Sequence, residues 1–500
     1  MTEATQKILE QFDELADKRK KEILEAKDNI EITGTTYYVS NDGNDANDGK
    51  TPETSWKTIE RVNREQLVPG DGVRFKRGDL FRGTILSENG VTYCAYGEGE
   101  KPKFYGWNKN LSDPSLWTLY NAEKNIWKLN EKILDCGTLV FNGGEKHSYK
   151  HIPSYRYGKF YCRWKEGVEF DMANEMENDL DIYWYYEDNF STTPSKGEDF
   201  PIPELDETSF GELYLRCDKG NPGDVFSDIE AVPRTCIIRV WSIDDVKVDN
   251  LCMKYANFAI SAYAPDVKGL HVTNCEIGWI GGCIQTYTGT DPNYIPEKRG
   301  GVTRYGNGIE IYGGCTDYLV DNNYIYQVYD AGATHQVTTK GDKFVMKDVC
   351  YSNNLIEHCV YAIEYFLDER VKGTGSVMDG IEMRDNILRF GGYGWGQQRH
   401  NTHTPALIKG WSYENTARNY TVHNNILDRC AYRLVHLVAE KEEYLPEMYE
   451  NTYIQKFGMT LGQFGAKEKK EPEIMAFYEN AEEIIKTEIG DQDAKVYYIK

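Results

Sequence analysis

Six segments of the chain share one pattern: VKVDNLCM (246–253), LHVTNCEI (270–277), YLVDNNYI (318–325), VCYSNNLI (349–356), IEMRDNIL (381–388) and YTVHNNIL (420–427). Each alternates apolar and polar residues, which is typical of a short β-strand, and each carries an asparagine near its centre. The asparagines align as Asn250, Asn274, Asn323, Asn354, Asn386 and Asn425 and lie 24 to 49 residues apart. Uneven spacing of this kind fits one coil of a solenoid per repeat, with loops of varying length inserted at one turn.

A second short strand follows most of these asparagines, as in FAISAYA (258–264), GATHQV (332–337), YAIEYF (361–366), ALIKGW (406–411) and RLVHLV (433–438). A recurrent asparagine at a turn can hydrogen-bond the backbones of neighbouring coils, as stacked amides do in parallel strands. Crossovers between parallel strands are right-handed. The pattern therefore predicts an all-β fold, a right-handed parallel β-helix (solenoid), whose main coils lie in residues 236–440.

The rest of the chain divides around this repeat. Residues 1–34 show an amphipathic pattern that predicts an N-terminal α-helix, which packs on the main fold or, alternatively, forms a homodimer. Residues 35–105 are expected to begin the β-helix, and residues 106–235 to form a β-rich insertion with long loops. Residues 441–500 are expected to leave the repeat and to cover its end with helical segments and a final strand.

Composition limits the class of partner. The 500 residues include 80 acidic and 57 basic side chains, and the net charge of −23 argues against binding nucleic acid or an anionic membrane. Tyrosine is abundant, with 37 residues, which suits strands and contact with polar ligands. The twelve cysteines form no CxxC pair, so no metal site is expected, and no cofactor motif is present. The charged N-terminal segment lacks a secretory pattern and predicts a cytoplasmic protein if Met1 is the native start.

Several motifs carry a resemblance to a known group. YYVSNDGNDANDGKTPETSWKTIERVN (37–63), followed by PGDGVRFKRGDLFRG (69–83), resembles the opening of right-handed β-helix carbohydrate-active enzymes of the pectate-lyase-like superfamily. LYLRCDKGNPGDVFSDIE (213–230) and GNGIEIYGGCTDYLVDNNYIYQVYDAGATHQ (306–336) are similar to a bacterial subgroup of them. Members of this broad group resemble family 136 lacto-N-biosidases, family 120 xylosidases and family 141 enzymes. The resemblance covers residues 35–440 and implies carbohydrate chemistry. It assigns no single family and no catalytic residue, because β-helices host lyases, hydrolases, epimerases and binding proteins.

The second strands predict two rows of outward side chains. We align these strands by their inward apolar residues: Ile260, Ile309, Ala333, Ile363, Ile408 and Val435. Alternation along a strand then turns the next residue outward and gives a polar row of Ser261, Glu310, Thr334, Glu364, Lys409 and His436. The outward residue two places further on gives a second row of Tyr263, Tyr312, Gln336, Phe366, Trp411 and Val438. Rings stack on the C–H faces of sugars and carboxylates bind hydroxyls, so the two rows indicate a sugar site. The alternative is that the rings cover the sheet beneath an inserted loop.

Three carboxylates on this face are the catalytic candidates. Glu310 and Glu364 lie two coils apart, which places their backbones about 10 Å from each other. This is nearer the carboxyl separation of inverting glycosidases than that of retaining ones. Asp330 lies on the intervening coil, where a pair with either Glu could approach the retaining distance. We predict that Asp330 is the general acid and a Glu the nucleophile or base. A hydrogen-bonded turn carboxylate is the alternative for Asp330.

Further residues are predicted to bind substrate. The loop GGYGWGQQRHNTHTP (391–405) contributes Trp395 and Arg399, since recognition residues concentrate on inserted loops. His335 and Gln336 could contact hydroxyls, and a structural role is the alternative for His335. Gln285 is included too, although it could instead occupy the coil position given to Glu310 and displace Glu310 to the rim. The two rows complete the predicted binding set with Tyr263, Tyr312, Phe366, Lys409, Trp411 and His436.

These residues support three hypotheses. The leading one is a glycoside hydrolase that cleaves a neutral or amino-sugar oligosaccharide by carboxylate acid/base catalysis. The second is a polysaccharide lyase or uronate epimerase in which Lys409, Arg399 or His436 serves as a base. The third is a carbohydrate-binding solenoid without catalysis. An unsaturated product would indicate a lyase, and sugar binding without turnover would indicate the third.

Overall fold

The computed structural model of the protein describes residues 3–151, 154–156, 159–161, 182–187, 210–287, 302–337, 343–367, 373–398, 405–412 and 416–500. Within these residues the chain is mostly β-structure, arranged in long parallel sheets. No helix that the structure describes is both long and apolar enough to cross a membrane. The described cysteines are free, and all of them except Cys350 are buried.

Three ladders of parallel strands make up the two large sheets, which have 19 and 10 strands. The first ladder contains Thr36–Val39, Gly72–Lys76, Thr92–Tyr96, Lys247–Asp249, His271–Thr273, the second half of Ile309–Asp321, Val345–Ser352, Val377–Arg384, Thr416–His423 and Glu447–Tyr449. The second ladder contains Ile85–Leu86, Cys236–Trp241, Phe258–Lys268, the first half of Ile309–Asp321, Ala331–Val337, Tyr361–Leu367, Ala406–Ser412, Arg433–Ala439 and Thr460–Ala466. Met475–Ala476 adds an antiparallel strand to its end.

The third ladder forms the 10-stranded sheet by itself. Its strands are Leu80–Arg82, Lys103–Tyr105, Cys252–Ala256, Glu276–Ile280, Tyr324–Val328, Leu355–Glu357, Ile387–Gly391, Ile426–Cys430, Thr452–Lys456 and Lys495–Ile499. From residue 258 onward the chain passes through the second, first and third ladders in turn, and each strand pairs with the strand of the preceding passage. One continuous cluster of buried apolar side chains packs between the ladders.

A row of buried asparagines links successive passages of the chain. Each side-chain amide donates to the side-chain oxygen of the next residue at 2.9 to 3.1 Å. The row runs through Asn323, Asn354, Asn386, Asn425 and Asn451 and ends at Asp491. The predicted amide stacking is therefore present, and the exposed fraction of every asparagine in it is zero.

The predicted alignment of the first two asparagines is wrong by one residue. Asn250 and Asn274 have φ angles of 60° and 55°, and Asn322 and Asn353 both have a φ angle of 55°. Asn250 and Asn274 therefore occupy the left-handed turn position one residue before the asparagine row, as Asn322 and Asn353 do. Cys275 stands at the row position instead, and its backbone N–H donates to Asn323 Oδ1 at 2.9 Å. Asparagine is favoured at both places, by its tolerance of left-handed φ in one and by its amide in the other.

The predicted insertion, residues 106–235, has sheets of its own. A three-stranded sheet contains Cys136–Phe141, Lys146–His147 and Ile229–Pro233. A six-stranded sheet contains Trp117–Asn121, Ile126–Leu129, Ile133–Leu134, Tyr149–His151, Ile182–Glu187 and Phe210–Cys217. Within the insertion, Ser154–Arg156 also pairs antiparallel with Lys159–Tyr161. Later in the chain, Cys283–Tyr287 pairs antiparallel with Val302–Tyr305.

The first helix, Glu3–Leu24, lies against the third ladder. Its Ala16 and Ile23 are buried with Tyr324, Leu355 and Ile387. The predicted contact with the main fold is thus present in the structure. The short helices are Pro52–Thr54, Ile59–Val62, Pro114–Leu116, Asn142–Gly144, Pro222–Val225, Trp395–Gln398, Glu442–Tyr444, Ala481–Ile484 and Ile485–Ile489.

The C-terminal region differs from the expectation that the repeat ends near residue 440. Glu447–Tyr449, Thr452–Lys456 and Thr460–Ala466 add one more strand to each ladder. Asn451 continues the asparagine row in this added passage. Met448 and Tyr453 take the buried positions that Val422 and Leu427 hold in the preceding passage.

Candidate functional site

The strands of the second ladder pair in the register that the sequence predicts. Ser261, Glu310, Thr334, Glu364, Lys409 and His436 face one another in order across adjacent strands. Tyr263, Tyr312, Gln336, Phe366, Trp411 and Val438 form the second row in the same way. Gln285 does not take the place of Glu310, because its strand, Cys283–Tyr287, leaves the ladder as part of an antiparallel pair.

Glu310 is buried in the polar row, with 6% of its surface exposed. The Asn307 side-chain amide donates to Glu310 Oε2, and Gln336 Nε2 donates to the same oxygen at 3.4 Å. Burial raises the pKa of Glu310 to about 7, opposed by the hydrogen bond from Asn307 and supported by the negative charges of Asp330 and Glu364. A carboxyl group with this pKa holds a proton near neutral pH and can donate it.

Glu364 has a different environment from Glu310. Lys409 Nζ lies 2.9 Å from Glu364 Oε1, and the same ammonium group stands 3.8 Å from the centroid of the Tyr361 ring. The adjacent ammonium group gives Glu364 a charged partner. Two carboxyl groups two strands apart thus have opposite partners, an amide for Glu310 and an ammonium for Glu364.

Asp330 stands directly before the strand Ala331–Val337 and is 7% exposed. Its negative charge acts on Glu310, which places the two carboxyl groups near each other. Asn307 links the two positions, because its Oδ1 accepts from the Ala331 backbone N–H at 2.9 Å while its amide donates to Glu310. Asp330, Glu310 and Glu364 therefore lie in one recessed region, as the sequence predicts for the catalytic candidates.

Two polar side chains, Arg433 and Gln463, lie next to His436 at the end of the polar row. Arg433 donates to His436 Nδ1 and, at 2.9 Å, to Gln463 Oε1. Burial, together with the charges of Arg433 and Lys409, lowers the pKa of His436 to about 3. His436 is accordingly a neutral acceptor held by Arg433, at the far end of the row from Ser261.

Aromatic rings form the other part of the site. The Tyr263 and Tyr312 rings are stacked, with centroids 6.1 Å apart and planes inclined by 21°. The Trp241 ring meets Tyr263 edge-on at 6.4 Å. Phe366 follows in the same row, half-buried. The Trp411 side chain and the whole of Arg399 lie outside the described residues, as does the Gln285 side chain.

Two of the predicted binding residues are in the wrong place for contact with substrate. His335 has no exposed surface, lies between the Tyr351 and Tyr365 rings, and accepts or donates a 2.8 Å hydrogen bond with the Tyr351 hydroxyl. Burial lowers its pKa to about 3. The structural alternative for His335 fits this position, because alternation turns it inward after the outward Thr334.

Trp395 is 1% exposed, and its indole N–H donates to the Gln327 carbonyl at 2.7 Å. The Trp395 and Tyr329 ring centroids lie 5.1 Å apart inside a buried aromatic cluster. Trp395 is therefore part of the core and is not exposed to a ligand.

Sequence reasoning missed four residues that the structure brings to the rows. Asn307 holds Glu310, and Gln463 extends the polar row beyond His436. Arg239 and Trp241 extend the two rows at the opposite end. The signal for Arg239 and Trp241 was present in CIIRVW, which has the same inward apolar pattern as the aligned strands. No group of three or more His, Cys, Asp or Glu within the described ranges is placed to hold a metal ion.

Comparison with known proteins gives limited matches. No family model matches the chain. The chain is similar to a lacto-N-biosidase from Bifidobacterium longum subsp. longum, with 35% identity over 82 residues, which is 14% of this chain and 5% of that protein. The match therefore spans only a small part of that relative's length. It agrees with the resemblance to lacto-N-biosidases predicted from the sequence.

Solved structures of low similarity include XylC in complex with xylose, at 12% identity and a TM-score of 0.37, covering 93% of this chain and 82% of that one. A family 136 lacto-N-biosidase from Eubacterium ramulus has 12% identity and a TM-score of 0.34, covering 93% and 68%. A family 28 exopolygalacturonase from Yersinia enterocolitica has 11% identity and a TM-score of 0.34, covering 84% and 66%.

Proposed function

We propose that this protein is a glycoside hydrolase that cleaves an oligosaccharide on one face of a right-handed parallel β-helix. The sugar at the point of cleavage is neutral or an amino sugar, since three carboxyl groups surround it. The observation that carries the proposal is the opposite environment of Glu310 and Glu364 within one row. Acid/base catalysis on glycosidic bonds uses two carboxyl groups that stand in different environments and flank the bond.

In this proposal Glu310 is the general acid. Its proton passes to the leaving oxygen as the bond from the anomeric carbon to that oxygen breaks. Glu364, which is paired with Lys409, takes a proton from the water that attacks the opposite side of the sugar ring. The two backbones lie about 10 Å apart across two strand spacings, which leaves room for that water and favours inversion.

This assignment differs from the sequence prediction, in which Asp330 is the general acid. Asp330 lies beside Glu310, and its negative charge helps Glu310 to keep its proton. The half-buried Tyr263 ring is stacked on the buried Tyr312 ring in the row beside the carboxyl groups. Such rings pack on the C–H faces of a pyranose.

The test is mass spectrometry of products after incubation with plant, milk and mucin oligosaccharides and with uronate oligomers. Hydrolysis gives fragments whose masses sum to the substrate plus one water, and proton NMR of the first product gives its anomeric form. Glu310→Gln, Glu364→Gln and Asp330→Asn should lower activity while folding is kept, and Glu447→Gln, an exposed carboxylate on the first ladder, should not. Fragments that sum to the substrate and carry a double bond would indicate a lyase and contradict the proposal.

A further inference from the structure

Arg239 and Trp241 extend the two rows of the site on the side away from Lys409. In the strand Cys236–Trp241, Arg239 pairs with Ser261, and Trp241 pairs with Tyr263. Arg239 therefore stands in the polar row two strands before Glu310, which is about 10 Å along the sheet. Trp241 stands beside the Tyr263 and Tyr312 rings, so the aromatic surface continues toward Arg239.

Arg239 differs from several other half-buried and buried arginines of the chain. Arg77, Arg82 and Arg389 each form an ion pair with a carboxylate. For Arg239 the structure shows no such pair anywhere in the residues it describes, although the chain carries 23 more acidic than basic side chains. Its guanidinium instead lies 4.4 Å from the centroid of the Trp241 ring. Stacking on a ring leaves the N–H donors at the edge of the guanidinium free to bind.

We propose that Arg239 and Trp241 form a subsite for a sugar that bears an anionic group, a carboxylate or a sulfate ester. The inference rests on the proposed function, because it adds a neighbouring subsite to that cleavage site. A planar guanidinium matches such oxyanions through two parallel hydrogen bonds, and the Trp241 ring supports the attached sugar. The carboxyl groups at Asp330, Glu310 and Glu364 repel an anion at the cleavage point. The substrate is therefore bound in one direction, with its charged sugar at Arg239.

Binding measured by isothermal titration calorimetry tests this subsite. The probes are three matched pairs: xylotriose bearing one glucuronic acid and the methyl ester of that acid, N-acetyllactosamine and its sialylated form, and N-acetyllactosamine and its 6-sulfated form. We expect the wild-type protein to bind the anionic member of at least one pair about tenfold or more tightly than the neutral member. The pair that shows the preference identifies a uronate, a sialic acid or a sulfate as the source of the charge.

Arg239→Gln should remove that preference, and Arg239→Lys should restore part of it, because lysine keeps the charge but loses the planar fork. Arg418→Gln, an exposed arginine on the first ladder, serves as the matched control and should leave the preference unchanged. Thermal melts confirm that each variant is folded. Equal binding of both members of every pair by the wild type, or an anion preference that survives in Arg239→Gln, overturns the inference. Mass spectrometry of the same samples reports hydrolysis separately, so failure of the proposed reaction is distinguished from failure of the subsite.

Discussion

Lys409 Nζ lies 2.9 Å from Glu364 Oε1, and both side chains of this pair are less than a tenth exposed. In a buried ion pair each side chain holds the other in place, because little water is present to replace it. Lys409 also stands over the Tyr361 ring, which fixes its position along the row. Lys409 is thus a positioning residue for Glu364 in the proposed reaction.

Removing the ammonium group of this pair should destabilise the protein strongly. Lys409→Met leaves the Glu364 carboxylate buried without its cation, and we expect a loss of about 3–5 kcal/mol in the free energy of unfolding. The double variant Lys409→Met with Glu364→Gln should recover much of that loss, because it leaves no unpaired charge. Urea unfolding of the single and double variants measures both values.

Lys470→Met provides the control for this experiment. Lys470 and Glu473 form an ion pair whose side chains are each 73% exposed, so its loss should change the free energy of unfolding little. An equal effect of Lys409→Met and Lys470→Met on unfolding would contradict the buried pairing.

The raised pKa of Glu310 predicts a specific pH dependence of activity. If protonated Glu310 is the acid, kcat/KM should fall as pH rises through about 7. Asn307→Ala removes a hydrogen bond that lowers this pKa, so the fall should move to higher pH in that variant. The pH profile of kcat/KM for wild type and Asn307→Ala is the measurement, and an unshifted alkaline limb would speak against Glu310 as the acid.

The same group predicts a pH dependence of stability. The folded pKa of Glu310 is raised above its ordinary value of 4.5 to about 7, so between these values the folded state binds more protons than the unfolded state. Its contribution to stability therefore falls as pH rises through this window. Glu310→Gln cannot titrate, and its free energy of unfolding relative to wild type should rise from pH 5 to pH 8. Denaturant unfolding at both values measures the change, which should be absent in Glu447→Gln.

The strand register could be predicted from sequence because it depends on a local rule. Inward apolar residues alternate with outward polar ones, and a slip by one residue would bury Glu310 and Glu364 in the core. The same alternation turns His335, the residue after the outward Thr334, toward the core. The hydroxyl and rings that hold His335 come from Tyr351 and Tyr365 and complete that environment.

Other features depend on contacts between distant parts of the chain, which no local pattern records. Trp395 belongs to a loop whose composition is typical of a binding loop, yet it packs behind the site on Tyr329. The opposite surroundings of Glu310 and Glu364 arise from Asn307 and Lys409, which are brought beside them by different strands. The sequence pattern therefore predicted which carboxyl groups share a face, but it did not predict their different partners.

The asparagine row predicts a second stability effect. Asn386 Oδ1 accepts from the backbone N–H and the side-chain amide of Asn354, at 3.0 and 2.9 Å, and its own amide donates to the Tyr351 carbonyl and to Asn425 Oδ1 at 2.9 Å. Asn386→Ala leaves these buried groups without partners, and we expect a loss of at least about 2 kcal/mol in the free energy of unfolding.

Asn480→Ala is the matched control for the row. Asn480 is exposed, and no side-chain cap hydrogen bond is formed at its position before the helix Ala481–Ile484. Its replacement should change the free energy of unfolding by less than about 0.5 kcal/mol. Denaturant unfolding compares the two variants, and similar values for both would mean that the amide row contributes little to stability.

The N-terminal helix predicts a difference between two of its own apolar residues. Ile23 has no exposed surface where the helix Glu3–Leu24 meets the third ladder, whereas Leu15 is 40% exposed on the same helix. Ile23→Ala should lower the free energy of unfolding by about 2–5 kcal/mol, because it leaves a cavity in a packed contact. Leu15→Ala should have a small effect, since alanine is at least as good a helix former as leucine. If instead the helix forms a homodimer through its exposed residues, Leu15→Ala should weaken association in analytical ultracentrifugation while Ile23→Ala acts on unfolding. A larger loss of stability in Leu15→Ala than in Ile23→Ala would contradict the docking of this helix on the ladder.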